Sequence, residues 1–194
     1  MDMLTAHRSA LRQFDRRVAA VRPTQWAAPT PDADWDVRAL VGHLVAEQWW
    51  VAPLLAGHSV AEAEPIAGAA ARAAETDDPA ATWAAAAAAA WEAWAEPGVL
   101  ERTVQLSAGP TPAEEYGWQM TLDLTVHAWD LARATGGPDD FPNDLVSTVL
   151  DRAKASAADW QGTGLFAPSI PVPGCTDDLT ELLALLGRNR WWRS

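Results

Sequence analysis

Apolar residues recur at helical spacing along most of the chain. Leu4, Leu11, Phe14, Val18 and Val21 fall three, four or seven positions apart, which predicts an amphipathic helix over about Asp2–Val21, ending before Pro23. In Pro29-Thr-Pro-Asp-Ala-Asp-Trp-Asp36 the prolines resist helix, and Asp34 or Asp36 can cap the helix that follows. That second helix spans Val37–Leu55, stops at Gly57, and brings Leu40, His43, Leu44 and Glu47 onto neighbouring faces. Ser59–Pro79 reads as a partly helical connection. A third long helix over Ala80–Ala95 is anchored by Trp83, Trp91 and Trp94 and halted by Pro97-Gly98. Val99–Ala108 alternates weakly and predicts an extended connection or a short hairpin. A fourth helix follows over Pro112–Thr135, with Pro112 at its first position, Glu114 in its first turn and Gly136-Gly137-Pro138 as its stop. Asn143–Trp160 supplies a fifth helix and Asp177–Leu186 a short sixth. Four long helices with two accessories predict a four-helix bundle.

Composition narrows the class. The 194 residues suit one domain, 1–194, and 49% hydrophobic content fills one core. The alanine run Ala84–Ala90 favours helix, and the scarcity of β-branched runs argues against an all-β fold. A formal charge of −12 would repel phosphate backbones and anionic headgroups, so neither nucleic acid nor membrane is an expected partner. No apolar run approaches the roughly 18–20 residues of a membrane helix. Met1–Ala20 is amphipathic and charged rather than a signal peptide, so the cytoplasm is the expected compartment. The one cysteine, Cys175, excludes an intramolecular disulfide and a Cys-rich zinc site, and reads as a spectator in a Pro/Gly-rich loop.

The candidate chemistry lies in two helices. Asp123 and His127 are four residues apart, so their side chains share one helical face, one turn apart. His43 stands among Leu40, Leu44 and Val45 on what should be an inward face of the second helix. Bundles build metal sites from such inward carboxylates and imidazoles. Two histidines and a carboxylate leave coordination positions open, as a catalytic divalent metal requires, with zinc ranked first and nickel, iron or manganese as alternatives. Spacing alone is weak evidence, because a lone histidine on an apolar face is more often a hydrogen-bonded core residue.

The surrounding segments are more specific. The run from Pro29 to His43, Leu122-Asp-Leu-Thr-Val-His-Ala-Trp-Asp-Leu-Ala-Arg-Ala-Thr-Gly136, and the tail segments Phe166-Ala-Pro-Ser-Ile-Pro-Val-Pro173 and Leu182-Leu-Ala-Leu-Leu-Gly187 resemble short, single-domain members of the mycothiol-dependent maleylpyruvate isomerase metal-binding family of the DinB-like superfamily. The resemblance implies an all-α, DinB-like up-down-down-up four-helix bundle with short accessory helices, and a metal held by His43, Asp123 and His127. Asp123 stands where the isomerase has glutamate and many DinB-like proteins have histidine. The resemblance further implies mycothiol as a cosubstrate, bound to the metal as thiolate, attacking a small electrophile in an S-transferase or isomerase reaction. The additional C-terminal domain of the full-length isomerase is not expected here, and maleylpyruvate itself is therefore not the expected substrate. A metal-dependent hydrolase and a non-enzymatic metal- or thiol-binding stress or sensing protein are the alternatives.

Other residues carry two readings each. Asp130 could accept the His127 N–H, or pair with Arg133 or Arg38. Arg133 could hold an anionic substrate, though complementing its helix end ranks higher. Glu47 could serve as a base beside the metal or be an interhelical charge. Trp49, Trp50, Trp118 and Trp129 could wall the pocket, although twelve tryptophans in a small bundle are mainly packing. His7 and His58 are expected in solvent. Exposed tryptophans at a bundle edge, Trp191-Trp192 among them, are compatible with a homodimer.

Overall fold

Aspartates open most of the helices. In the computed structural model, which describes residues 1–74, 76–160 (side chains to 156), 166–175 and 177–193, Asp2 caps α1 (Met3–Val18), Asp36 caps α2 (Val37–Leu55), Asp78 caps α4 (Pro79–Trp94) and Asp177 caps α7 (Asp178–Leu185). Each carboxylate accepts a backbone N–H of the first turn, and part of the acidic excess is thereby placed against positive helix ends. Asp36, rather than Asp34, is the cap of α2, with its Oδ1 at 2.8 Å from the Ala39 nitrogen.

The connection expected over Ser59–Pro79 is more regular than its sequence suggests. It holds a full helix, α3 (Val60–Ala74), with Pro65 inside and only Ala63 and Ala67 buried. Small residues one turn apart let α3 lie against α2 and α4 without the large apolar side chains that would have signalled it. After α4, β1 (Thr103–Leu106) and β2 (Gly109–Pro112) form an antiparallel hairpin in the register Thr103↔Pro112 to Leu106↔Gly109, which decides between the two readings of that region. Pro112 ends this hairpin, and α5 (Ala113–Thr135) begins one residue later than expected because the proline backbone is extended, with ψ 137°. Gly136, at φ 67°, closes α5 in the left-handed conformation. α6 (Asn143–Trp160) and α7 complete the described helices.

α1 packs on α5 and α4, and α2 packs on α4 and α5, which closes the up-down-down-up bundle. α6 lies against α5 and α1 and carries α7 on its outer side. Trp83, Trp94, Trp129 and Phe14 are fully buried, with Phe14 meeting Trp83 edge-on at 4.6 Å between ring centres. No helix among the described residues is long and apolar enough to cross a membrane.

One histidine departs from expectation. His7 is completely buried, with Nδ1 3.1 Å from the Thr121 hydroxyl and its ring 5.5 Å from Trp94; burial pushes it down to about 3, so it is neutral. It shares the buried stripe of Met3, Ala10, Leu11 and Phe14, and that helical register outweighs its polarity. His58 is half-buried.

α5 and α1 approach closely at Gly117, where an added Cβ would lie 2.4 Å from Met3 Cε. Gly117→Ala is expected to cost about 1–3 kcal/mol in a urea melt through overpacking. Met3→Ala in the same chain removes the clashing atoms, so the double variant should lose less than the sum of the single losses.

Candidate metal centre

α2 and α5 bring the three predicted donors together. Leu40 and Leu44 of α2 are fully buried, and His43 between them reaches the bundle edge with 26% of its side chain exposed. On α5, Asp123 and His127 project from the same face. His43 Nε2 lies 3.3 Å from Asp123 Oδ2, and His127 Nε2 lies 3.3 Å from Asp123 Oδ1. One donor atom from each of the three residues falls within 4.8 Å of the others, the only such group among the described residues.

The donor chemistry suits a divalent cation. Two atoms bound to one zinc at about 2.0–2.1 Å and a tetrahedral angle stand roughly 3.3 Å apart; each imidazole lies at that distance from a different Asp123 oxygen, and three donors within 4.8 Å of one another would draw together around a common cation. Asp123 Oδ2 is buried and makes no hydrogen bond, despite the nearby imidazole, which leaves its lone pairs open to a cation. His127 Nδ1 donates to Asp130 Oδ2 at 2.9 Å, and this fixes the ring with Nε2 turned toward Asp123.

Around these donors the structure sorts the other candidates. Asp130 is wholly buried behind His127, as one of its two readings required, but its cation is Arg188 at 3.5 Å rather than Arg133 or Arg38. Arg133 instead pairs with Asp139 at 3.6 Å and donates to the Trp192 carbonyl at 2.6 Å, which ties the tail to α5. Arg38 lies over Trp26. Glu47, half-buried one turn beyond His43, has its carboxyl pushed up by burial and by Asp123, with His43 and His127 acting in the opposite direction. Trp118 and Trp129 do not wall the centre: Trp118 sits under the Arg152 guanidinium and Trp129 fills the core. The ring that covers the donors is Trp35, stacked on His43 at 4.6 Å and 5.5 Å from His127. Its signal was its place in the loop capped onto α2, next to Asp36. Arg188, more than sixty residues from His127 in sequence, had no local signal.

Charge inside the cluster is shared unevenly. Burial opposes ionisation of Asp123, but His127 and His43 overcome it and hold the carboxyl well below the usual carboxylate range. Burial likewise disfavours a charged His127, yet Asp123 and Asp130 together lift it to about 9.

Residues 7–132, which include all three donors, match the sequence model of the mycothiol maleylpyruvate isomerase N-terminal domain. The chain belongs to this family. Among curated relatives, the uncharacterized Mycobacterium tuberculosis proteins Rv0738 (strain H37Rv) and MT0763 (strain CDC 1551) are each 34% identical over 195 residues, spanning 97% of this chain and 98% of the relative. Among solved structures, the mycothiol-dependent maleylpyruvate isomerase superposes with a TM-score of 0.56 at 17% identity, over 77% of this chain and 67% of that one. A variant of that isomerase with one histidine changed to alanine gives the same TM-score at 16% identity. At such identity the superposition speaks to the fold, which is the DinB-like bundle.

The elevated His127 value sets a pH dependence. With a folded value of about 9 against 6.5 for a free imidazole, the His127 pairing stabilises the metal-free protein fully below about pH 6.5 and fades as pH rises through 9. A cation at Nε2 must displace that proton. Zinc affinity, measured by chelator competition, should therefore rise by about tenfold per pH unit up to pH 9 and then level off. An affinity flat between neutrality and pH 9 would show that His127 holds no such proton in the metal-free protein.

Proposed function

We propose that His43, Asp123 and His127 hold a divalent metal, zinc first among the candidates, and that the protein uses it to activate a low-molecular-weight thiol against a small electrophile, as an S-transferase or isomerase. The convergence of the three donors on one point between α2 and α5 carries this reading. Mycothiol is the thiol we carry over from the solved relative, a mycothiol-dependent maleylpyruvate isomerase. When held by His43, Asp123 and His127, such a cation would supply Lewis acidity that lowers the pKa of a thiol.

The chain's own residues supply the rest. Asp130 orients His127, Trp35 covers the His43 ring and sheds water from that side, and Glu47 is placed to take up the proton that the thiol gives up. The same Glu47 favours a second reading: a carboxyl with a raised pKa beside a metal is equally suited to take a proton from water, which would make the protein a hydrolase. We further propose that residues 1–194 work as one domain, because α6, α7 and the tail pack back onto the bundle that carries the donors.

Elemental analysis of the purified protein should find one metal per chain, lost in His43→Ala and in His127→Ala with the helical circular dichroism retained. Asp123→Asn should weaken binding and Asp123→Glu should keep it. Consumption of a small electrophile by the metal-loaded protein should require the thiol and fall by at least about a hundredfold in His127→Ala. Turnover of an ester or amide without thiol would move the reading to the hydrolase, and stoichiometric metal with neither activity would leave a binding protein.

A further inference from the structure

The C-terminal tail reaches the back of the metal centre, beyond the segment that the family model covers. α7 ends in a Schellman turn in which the Gly187 nitrogen donates to the Ala184 carbonyl and the Arg188 nitrogen donates to the Leu183 carbonyl at 2.8 Å. Gly187 takes φ 76°, and a Cβ on it would lie 2.6 Å from Ala167 Cβ, so the tail crosses the 166–175 segment where only glycine fits. This turn aims Arg188 inward, and its side chain is only 9% exposed.

Its guanidinium joins two separate supports. Nη2 lies 3.5 Å from Asp130 Oδ2, the same oxygen that accepts the His127 Nδ1–H, and 3.3 Å from Asp32 Oδ2. Nη1 donates to the Leu186 carbonyl at 3.1 Å, which fixes the plane of the group. Asp32 belongs to a tight loop in which the Trp35 nitrogen donates to the Asp32 carbonyl and the Thr30 hydroxyl donates to the Trp35 carbonyl. Trp35 is the residue stacked on His43. One cation therefore backs both imidazoles, His127 through Asp130 and His43 through the Asp32–Trp35 loop.

We infer that Arg188 is the positioning residue of the metal centre, stapling the carboxylate behind His127 to the loop that covers His43. This inference rests on the metal reading above. Asp130 has no exposed surface, so its charge needs a partner within the protein; without one, either the carboxylate turns or the segment around it gives way. A guanidinium can face two carboxylates at once from its planar fork, whereas a lysine ammonium is a single point charge on a flexible stem. Removing the staple should loosen both imidazoles, and outer partners of metal ligands of this type are worth about 10–100-fold in metal affinity.

The test is cobalt(II) and zinc binding to the full chain, by chelator competition and by the visible d–d spectrum of the cobalt form, with His127→Ala as the no-binding reference. Arg188→Gln should keep its helical circular dichroism, lose about 10–100-fold in affinity for both metals and shift the cobalt bands. Arg188→Lys should recover part of that loss, and Asp32→Asn, which cuts only the exposed arm, should shift the bands with a smaller loss. A folded Arg188→Gln that binds cobalt within about twofold of the parent, with unchanged bands, overturns the inference even if its melting temperature falls. If Arg188→Gln does not fold, parent-like affinity and bands in both Arg188→Lys and Asp32→Asn overturn it instead. If the parent chain itself binds neither metal, the metal reading fails and this one fails with it, an outcome recognisable because it precedes any substitution.

Discussion

α5 is buried along most of its length yet carries Asp123, His127 and Asp130 within two turns. A helix so enclosed must neutralise its charges inside the protein, because water cannot do it. That constraint organises the surroundings. His127 stands between two carboxylates, His43 comes from α2 to meet Asp123, and Arg188 comes from the tail to meet Asp130. The bundle supplies a rigid frame on both sides, with α1 close against α5 at Gly117 and the tryptophan-filled core beneath.

The same electrostatics separates the cluster into layers. Asp123 keeps a quarter of its side chain exposed and faces both imidazoles, so it lies where a cation would enter. Asp130 is sealed behind His127 and can only orient and compensate. Glu47 lies between these extremes, half-buried, with its carboxyl pushed up by burial and by Asp123 against the opposing pull of His43 and His127. Three acids of similar intrinsic strength are thus set in three different environments by burial and neighbours.

Family membership and geometry bear on different parts of the reading. The matched segment ends at residue 132, so it covers the three donors and Asp130 but not Arg188 or the tail. Of the residues around the donors, Trp35 lies inside the matched segment and Arg188 lies outside it.

Much of this was legible in the residues themselves. Helical periodicity, aspartate caps and the Gly-Pro stops located α1, α2, α4, α5, α6 and α7 to within a few residues, because each signal acts over one or two turns. The i, i+4 spacing put Asp123 and His127 on one face for the same reason. α3 was understated because its buried stripe is alanine, and His7 was misplaced because polarity was weighed above its helical register. Local sequence could not show that Trp35 folds over His43, or that Arg188 finds Asp130 across 58 residues. Such contacts arise only when the chain closes on itself, where the need to neutralise a buried charge selects whichever cation the packing brings within reach.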